Sequence, residues 1–87
     1  MINEKWTLEE DEIVCDFCLE NCDIEAVNLK PLYDEIKKIN PNRTDGTIRL
    51  RYQNFLYLAT NGKKGLSKTK KQQKTVYDKK KKDKSKS

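Results

Sequence analysis

The charge of this chain changes sign after Leu58, and this division limits where a folded core can lie. Residues 1–58 carry seven Lys and Arg against twelve Asp and Glu, whereas residues 59–87 carry twelve Lys against two Asp. A domain that forms its own hydrophobic core usually needs about 50 residues or more. The sequence therefore predicts one domain over residues 1–59 and a Lys-rich tail over residues 60–87.

Cysteine and histidine content restricts the chemistry of the chain. There are three cysteines and no histidine, which excludes Ser-His and Cys-His catalysis and every zinc site that uses histidine. Cys15, Cys18 and Cys22 have a spacing that suits thiolate ligands, but one helix does not easily supply three corners of a tetrahedron. We expect buried or half-buried free thiols, no metal, no cofactor and no enzyme activity.

Hydropathy gives two further expectations. No segment approaches the roughly 18 consecutive apolar residues that a membrane span requires. The first residues also lack the apolar stretch of a signal peptide. We therefore expect no membrane partner and a location in the cytoplasm of the host cell.

Capping signals and apolar spacing predict an all-α, three-helix bundle. The first helix begins at Thr7, which forms a capping box with Glu10. The second opens near residues 28–30 and ends before Pro41, because the residue that precedes a proline is disfavoured in a helix. The third starts at the cap Thr44 and ends near residue 58. The expected core positions are Ile13, Val14, Phe17, Cys18, Asn21, Leu32, Tyr33, Ile36, Ile39, Ile48, Tyr52, Phe55 and Ala59.

Two segments have weaker patterns. Residues 22–28 show no firm period and are predicted to form a loop. In the basic tail, a weak fourth helix is expected over residues 67–78, capped by Ser67 and docked through Val76 and Tyr77. Beyond it the composition is that of a disordered chain.

The third predicted helix has an outward side that suits double-stranded DNA. A helix of this kind, joined to the one before it by a tight turn, fits the major groove. Arg can pair there with guanine and Gln with adenine. Arg43 and Arg51 are predicted to contact phosphates, which Lys side chains of the basic arm also neutralise. The predicted DNA-binding residues are Arg43, Arg49, Leu50, Arg51, Gln53, Tyr57, Lys63 and Lys64.

Several motifs resemble a Myb/SANT repeat. They are Trp6-Thr7 with Glu9-Glu10-Asp11, then Tyr33-Asp34-Glu35-Ile36, and then the run from Pro41 to Tyr52. The resemblance spans most of residues 5–58 and implies a helix-turn-helix fold around three aromatics, here Trp6, Tyr33 and Tyr52. In DNA-binding members of the family the third helix reads the bases, which implies that Arg49, Leu50 and Gln53 do so here.

A narrower resemblance covers the whole chain. Arg-Thr-x-Gly-x-Ile-Arg-x-Arg-x-Gln-Asn, followed by Gly65-Leu66-Ser67 and Lys71-Gln72, is similar to the Myb-like module that precedes HNH nuclease domains in bacterial and phage-borne proteins. This resemblance implies a DNA-specificity or docking module from a phage or mobile element.

Two other interpretations compete with DNA binding. SANT-type members of the same family bind proteins through an acidic surface, and the acidic balance of residues 1–58 favours this alternative. The partner would then be a host protein that handles nucleic acid, with this chain acting as an adaptor or inhibitor. The lysine arm also has a plainer interpretation as a solubilising tail.

Overall fold

The computed structural model describes residues 6–21, 27–67 and 69–85, and the side chains of the last segment as far as residue 82. The described residues form four helices and no strand: α1 (Leu8–Asn21), α2 (Lys30–Ile39), α3 (Asp45–Ala59) and α4 (Lys71–Ser85). The all-α class is confirmed. The expected three-helix bundle is wrong in its helix count, because the basic segment contributes a fourth helix that packs against α1 and α3.

Side-chain caps explain where α1 and α3 begin. The Thr7 hydroxyl accepts a hydrogen bond from the Glu10 N–H at 3.2 Å, and the Glu10 carboxylate accepts one from the Thr7 N–H at 3.0 Å. This is the predicted capping box. At the start of α3, the Thr44 hydroxyl accepts from the Thr47 N–H at 3.2 Å. Each cap satisfies N–H groups that have no partner within their own helix.

Proline sets both limits of α2. Pro31 lies in the first turn, where its missing N–H would have no helical partner. The helix ends at Ile39, two residues before Pro41, as predicted. Of the loop predicted over residues 22–28, residues 27 and 28 are non-helical, and residues 22–26 lie outside the described residues.

Residues 60–67, called here the strap, turn back over α3 instead of leading away from it. Asn61, Gly62 and Gly65 all have positive φ, at 54°, 84° and 85°. The Gly62 N–H donates to the Tyr57 carbonyl at 2.9 Å, and the Leu66 N–H donates to the Gln53 carbonyl at 3.1 Å. The strap is thereby hydrogen-bonded along the last turns of α3.

Helix α4 differs most from its prediction. It begins at Lys71 and continues to Ser85, whereas a helix over residues 67–78 was expected. The Gln73 side chain accepts a hydrogen bond from the Lys70 N–H and donates to the Asn54 side chain at 3.0 Å. Gln73 is fully buried, and Val76 is buried as predicted.

Helix α1 lies at the centre of the bundle, in contact with each of the other three helices. All four helices contribute to the core, whose buried apolar residues are Val14, Cys15, Cys18, Leu32, Ile36, Ile48, Tyr52, Phe55 and Val76. Of the expected core residues, Ile39 lies at the surface. No helix in the described part of the chain has the length and apolarity needed to cross a bilayer.

We expect Val76→Ala to lower the free energy of unfolding by about 1–3 kcal/mol, because it removes buried methyl groups and leaves a cavity beneath α4. The matched control is Thr75→Ala on the exposed side of the same turn, where we expect a change within about 0.5 kcal/mol. Urea unfolding followed by circular dichroism measures both. Equal stability of the two variants would contradict the docking of α4.

Candidate nucleic-acid interface

Trp6 is held between two arginines. The Arg43 Cζ lies 4.5 Å from the centre of the indole ring, and the Arg51 Cζ lies 5.0 Å from it. Trp has the best ring for such cation–π contacts, which gain strength when water is excluded. Arg43 lies in the α2–α3 turn and Arg51 lies on α3. Their contacts with Trp6 therefore join the start of α1 to the turn and to α3.

Each of these arginines also pairs with a carboxylate of α1. Arg43 donates to both oxygens of Glu10 at 2.9 Å, and Arg51 donates to both oxygens of Asp11 at 2.7 and 2.8 Å. Glu10 and Asp11 are fully buried. Gln72 of α4 adds hydrogen bonds to the Asp11 carboxylate at 2.6 Å and to the Trp6 carbonyl at 2.8 Å. We use the name Trp6 cluster for the group of Trp6, Glu10, Asp11, Arg43, Arg51 and Gln72.

The Trp6 cluster corrects the predicted placement of two arginines. Arg43 and Arg51 were expected at the surface against DNA phosphates. The side chain of Arg43 is 7% exposed and that of Arg51 is 11% exposed. A guanidinium group that donates two hydrogen bonds to a buried carboxylate is not available to bind a phosphate. These two residues therefore belong to the interior.

The ion pair with Arg43 controls the ionisation of Glu10. Burial alone would raise the pKa of this carboxyl, but the hydrogen bonds from Arg43 and Thr7 and the charge of Arg43 outweigh it, and the pKa lies below its ordinary value. In the unfolded chain the pKa of Glu10 is about 4.3, and in the fold it is lower, so ionised Glu10 stabilises the fold at pH values above about 4.3. This stabilisation is lost as the pH falls from about 4.3 through the lower pKa of the folded state.

We expect Glu10→Gln to lower the free energy of unfolding at pH 7 by about 3–5 kcal/mol, because it leaves buried Arg43 without a counter-charge. Glu9→Gln, at the exposed neighbouring position, should change it by less than about 0.5 kcal/mol. Urea unfolding at pH 7 and at stepwise lower pH measures both. The difference in the free energy of unfolding between wild type and Glu10→Gln should become smaller below about pH 4.3, because protonation of Glu10 removes the same charge from the wild type. A difference that does not change with pH would contradict an ionised Glu10.

The side of α3 that faces away from the core carries the remaining predicted residues. We call it the α3 outer face; its members are Gly46, Arg49, Leu50, Gln53 and Tyr57. Arg49 and Leu50 are exposed, with 58% of Leu50 accessible, and Gln53 and Tyr57 are half-buried. No described carboxylate forms an ion pair with Arg49. The part of this face that Arg49 and Leu50 form is therefore open to a partner.

The strap places further groups beside the α3 outer face. Lys63 and Lys64 are exposed on it, as the predicted phosphate contacts would need. Leu66, which sequence reasoning did not select, is 44% exposed and lines a groove together with Arg49 and Leu50. The Asn54 amide donates to the Leu66 carbonyl at 3.3 Å, which adds to the bond from the Leu66 N–H to Gln53.

Gly65 allows the strap to lie this close to α3. A Cβ at this position would come within 2.2 Å of the Gln53 carbonyl oxygen and 2.7 Å of the Tyr57 nitrogen, and the backbone φ is +85°. Both the contact and the φ exclude an ordinary L side chain. The glycine before a leucine is thus the sequence signal that could have indicated a fixed strap.

Gly65→Ala should therefore lower the free energy of unfolding by at least about 1–3 kcal/mol, because it combines backbone strain with a steric clash. Gly46→Ala is the matched control: a Cβ there meets nothing within 4 Å, and the helical position should gain up to about 1 kcal/mol. Thermal unfolding distinguishes the two. A neutral Gly65→Ala would mean that the strap does not lie on α3.

Two acids on the outer side of α1, which a SANT-type protein contact would use, are paired with lysines of α4. Lys80 of α4 pairs with Asp16 at 3.2 Å, and Lys79 approaches Glu12 at 3.6 Å. Burial alone would lower the pKa of Lys80, but the hydrogen bond and charge of Asp16 outweigh it and raise the pKa. With Glu10 and Asp11 inside the Trp6 cluster, Glu9 and Glu20 are the exposed acids of α1 for which the described residues show no ion pair.

The cysteines of α1 contribute to the core. Cys15 and Cys18 are buried and form no disulfide, and Cys22 lies outside the described residues. The described residues contain no group of three Cys, Asp or Glu side chains arranged to hold a metal ion. The α1 cysteines therefore add apolar contacts to the bundle.

The fold and the surface define a small all-α domain with four described helices and an exposed face on the third. Comparison of the chain with protein-family models, with curated proteins and with solved structures gives no match. The Myb/SANT resemblance accordingly stays a prediction.

Proposed function

We propose that this protein binds double-stranded DNA with the α3 outer face in the major groove. The observation that carries the proposal is that Arg49 and Leu50 are exposed side by side on α3, whose other arginine, Arg51, is internally paired. An unpaired arginine is costly to cover with an apolar partner but matches the O6 and N7 acceptors of guanine. Gln53, one turn further along, has the donor and acceptor that adenine requires.

Phosphate contacts in this proposal come from exposed lysines. Lys63 and Lys64 lie on the strap next to the α3 outer face, and Lys71 and Lys74 are exposed at the start of α4. Asp45, the acid in the first turn of α3, is paired with Lys37. Each lysine that meets a phosphate releases counterions, so affinity should fall steeply with salt.

The pairing of acids within the fold favours DNA over the protein-binding alternative. Four of the six α1 acids are engaged by Arg43, Arg51, Lys79 and Lys80. Lys79 and Lys80 come from outside residues 1–58 and offset part of the net negative charge of that segment, so a polyanion meets less repulsion than the sequence suggests. We propose a non-enzymatic, cytosolic DNA-binding regulator, of the kind that phages or mobile elements carry.

The test measures binding to a fluorescent duplex selected from a random pool. Arg49→Ala should weaken binding by about 1–3 kcal/mol, since it removes one bidentate base contact. Lys38→Ala removes one exposed positive charge from the last turn of α2 and no base contact, so it should weaken binding about twofold or less. Fluorescence anisotropy at several salt concentrations measures both affinities and the salt slope.

Three results would count against the proposal. The first is equal loss of affinity for the two variants, which would indicate binding by charge alone. The second is absence of any duplex binding at low salt. The third is a salt slope near zero, which would mean that no lysine meets a phosphate. Unchanged unfolding curves for both variants confirm that the comparison concerns binding and not stability.

A further inference from the structure

The groove between the strap and α3 is a second contact site, and we propose that Leu66 and Leu50 together bind the C5-methyl group of a thymine in the DNA major groove. This inference rests on the proposed function and deepens it. It makes Leu66, outside the predicted recognition helix, a specificity-determining residue.

The position of Leu66 is fixed by the backbone on either side of it. Its N–H donates to the Gln53 carbonyl at 3.1 Å, and its carbonyl accepts from the Asn54 amide at 3.3 Å. Gly65 lies against the same stretch of α3, in a conformation that other residues rarely adopt. Ordering Leu66 at an interface therefore costs little further conformational entropy, which favours a specific contact.

The groove combines two exposed leucines with one positive charge. Its lining residues are Thr44, Gly46, Thr47, Arg49, Leu50, Gln53 and Leu66. Leu50 is 58% exposed and Leu66 is 44% exposed. None of the lining residues is acidic, whereas Arg49 supplies a cation at the edge. An occupant of matching chemistry has a small apolar group next to negative charge or hydrogen-bond acceptors.

Thymine in duplex DNA has this combination. Its C5-methyl group is the one apolar group that an unmodified base pair presents in the major groove, and it lies beside base acceptors and below the phosphates. The methyl group would enter between Leu50 and Leu66 while Arg49 pairs with a neighbouring base. An acidic peptide with an apolar side chain is the competing occupant, and a groove that binds such a peptide instead would show no difference between thymine and uracil duplexes.

The experiment replaces thymine by uracil, which has the same hydrogen-bonding groups and lacks the methyl group. Starting from the selected duplex, each thymine is replaced in turn, and anisotropy measures the Kd of the full chain. We expect one or two positions at which uracil weakens binding about fourfold, as for loss of one buried methyl group.

Two protein variants test which residues bind that methyl group. Leu66→Ala and Leu50→Ala should each weaken binding to the thymine duplex and reduce the ratio of thymine to uracil affinity at those positions towards one. Leu8→Ala, at a residue 53% exposed on α1, is the matched control and should keep the full ratio.

The outcomes separate this inference from the proposed function. If the duplex binds and Arg49→Ala weakens it, but uracil is tolerated at every position, the methyl-binding inference is wrong and DNA binding stands. If the uracil effect persists unchanged in both leucine variants, the inference is also wrong, because another group reads the methyl. If no duplex binds, both proposals fail. A methyl effect lost in Leu66→Ala, with the unfolding curve unchanged, supports the inference.

Discussion

The placement of helix α3 depends on the Trp6 cluster. Two carboxylates in the first turn of α1 bind two arginines that come 33 and 40 residues later, and the Trp6 ring fills the space between the guanidinium groups. A buried ion pair has a large desolvation cost, so it favours a fold only where its geometry is good and its remaining hydrogen bonds are made. Both pairs meet that condition here, since each carboxylate binds its arginine through both oxygens. The cluster therefore fixes which side of α3 faces inward, and with it which side is left for a partner.

The basic segment completes the bundle and also alters its surface. Val76 and Gln73 of α4 are buried against α1 and α3, while Lys79 and Lys80 meet the acids of α1. The chain thus pairs its acidic and basic segments with each other. A charge count made along the sequence describes these segments as opposite patches, but in the fold two lysines of α4 lie against two acids of α1. For a polyanion, the local field at the α3 outer face matters more than the net charge of residues 1–58.

Local signals in the sequence were sufficient to predict the first three helices but not the long-range contacts between them. The Thr7–Glu10 capping box, the Thr44 cap and the Pro41 limit depend on neighbours within a few residues, so they could be predicted. The partners of Arg43 and Arg51 could not, because an arginine on a helix has the same local pattern whether it faces water or a distant carboxylate. Helix α4 was underestimated for a similar reason: its lysines suggest a disordered chain until the acids of α1 are placed opposite them.

Burial also determines how the parts of the molecule respond to salt. The pairs of Glu10 with Arg43 and Asp11 with Arg51 are shielded from water, and ions screen such pairs weakly. The Lys79–Glu12 pair and the strap lysines are in contact with solvent, so salt at about 0.10–0.15 M, with a Debye length of about 8–10 Å, weakens their interactions. Salt therefore acts on the surface where DNA would bind and leaves the Trp6 cluster intact. Because the cluster fixes the inward side of α3, the α3 outer face keeps its position while the charge of the neighbouring strap lysines is screened.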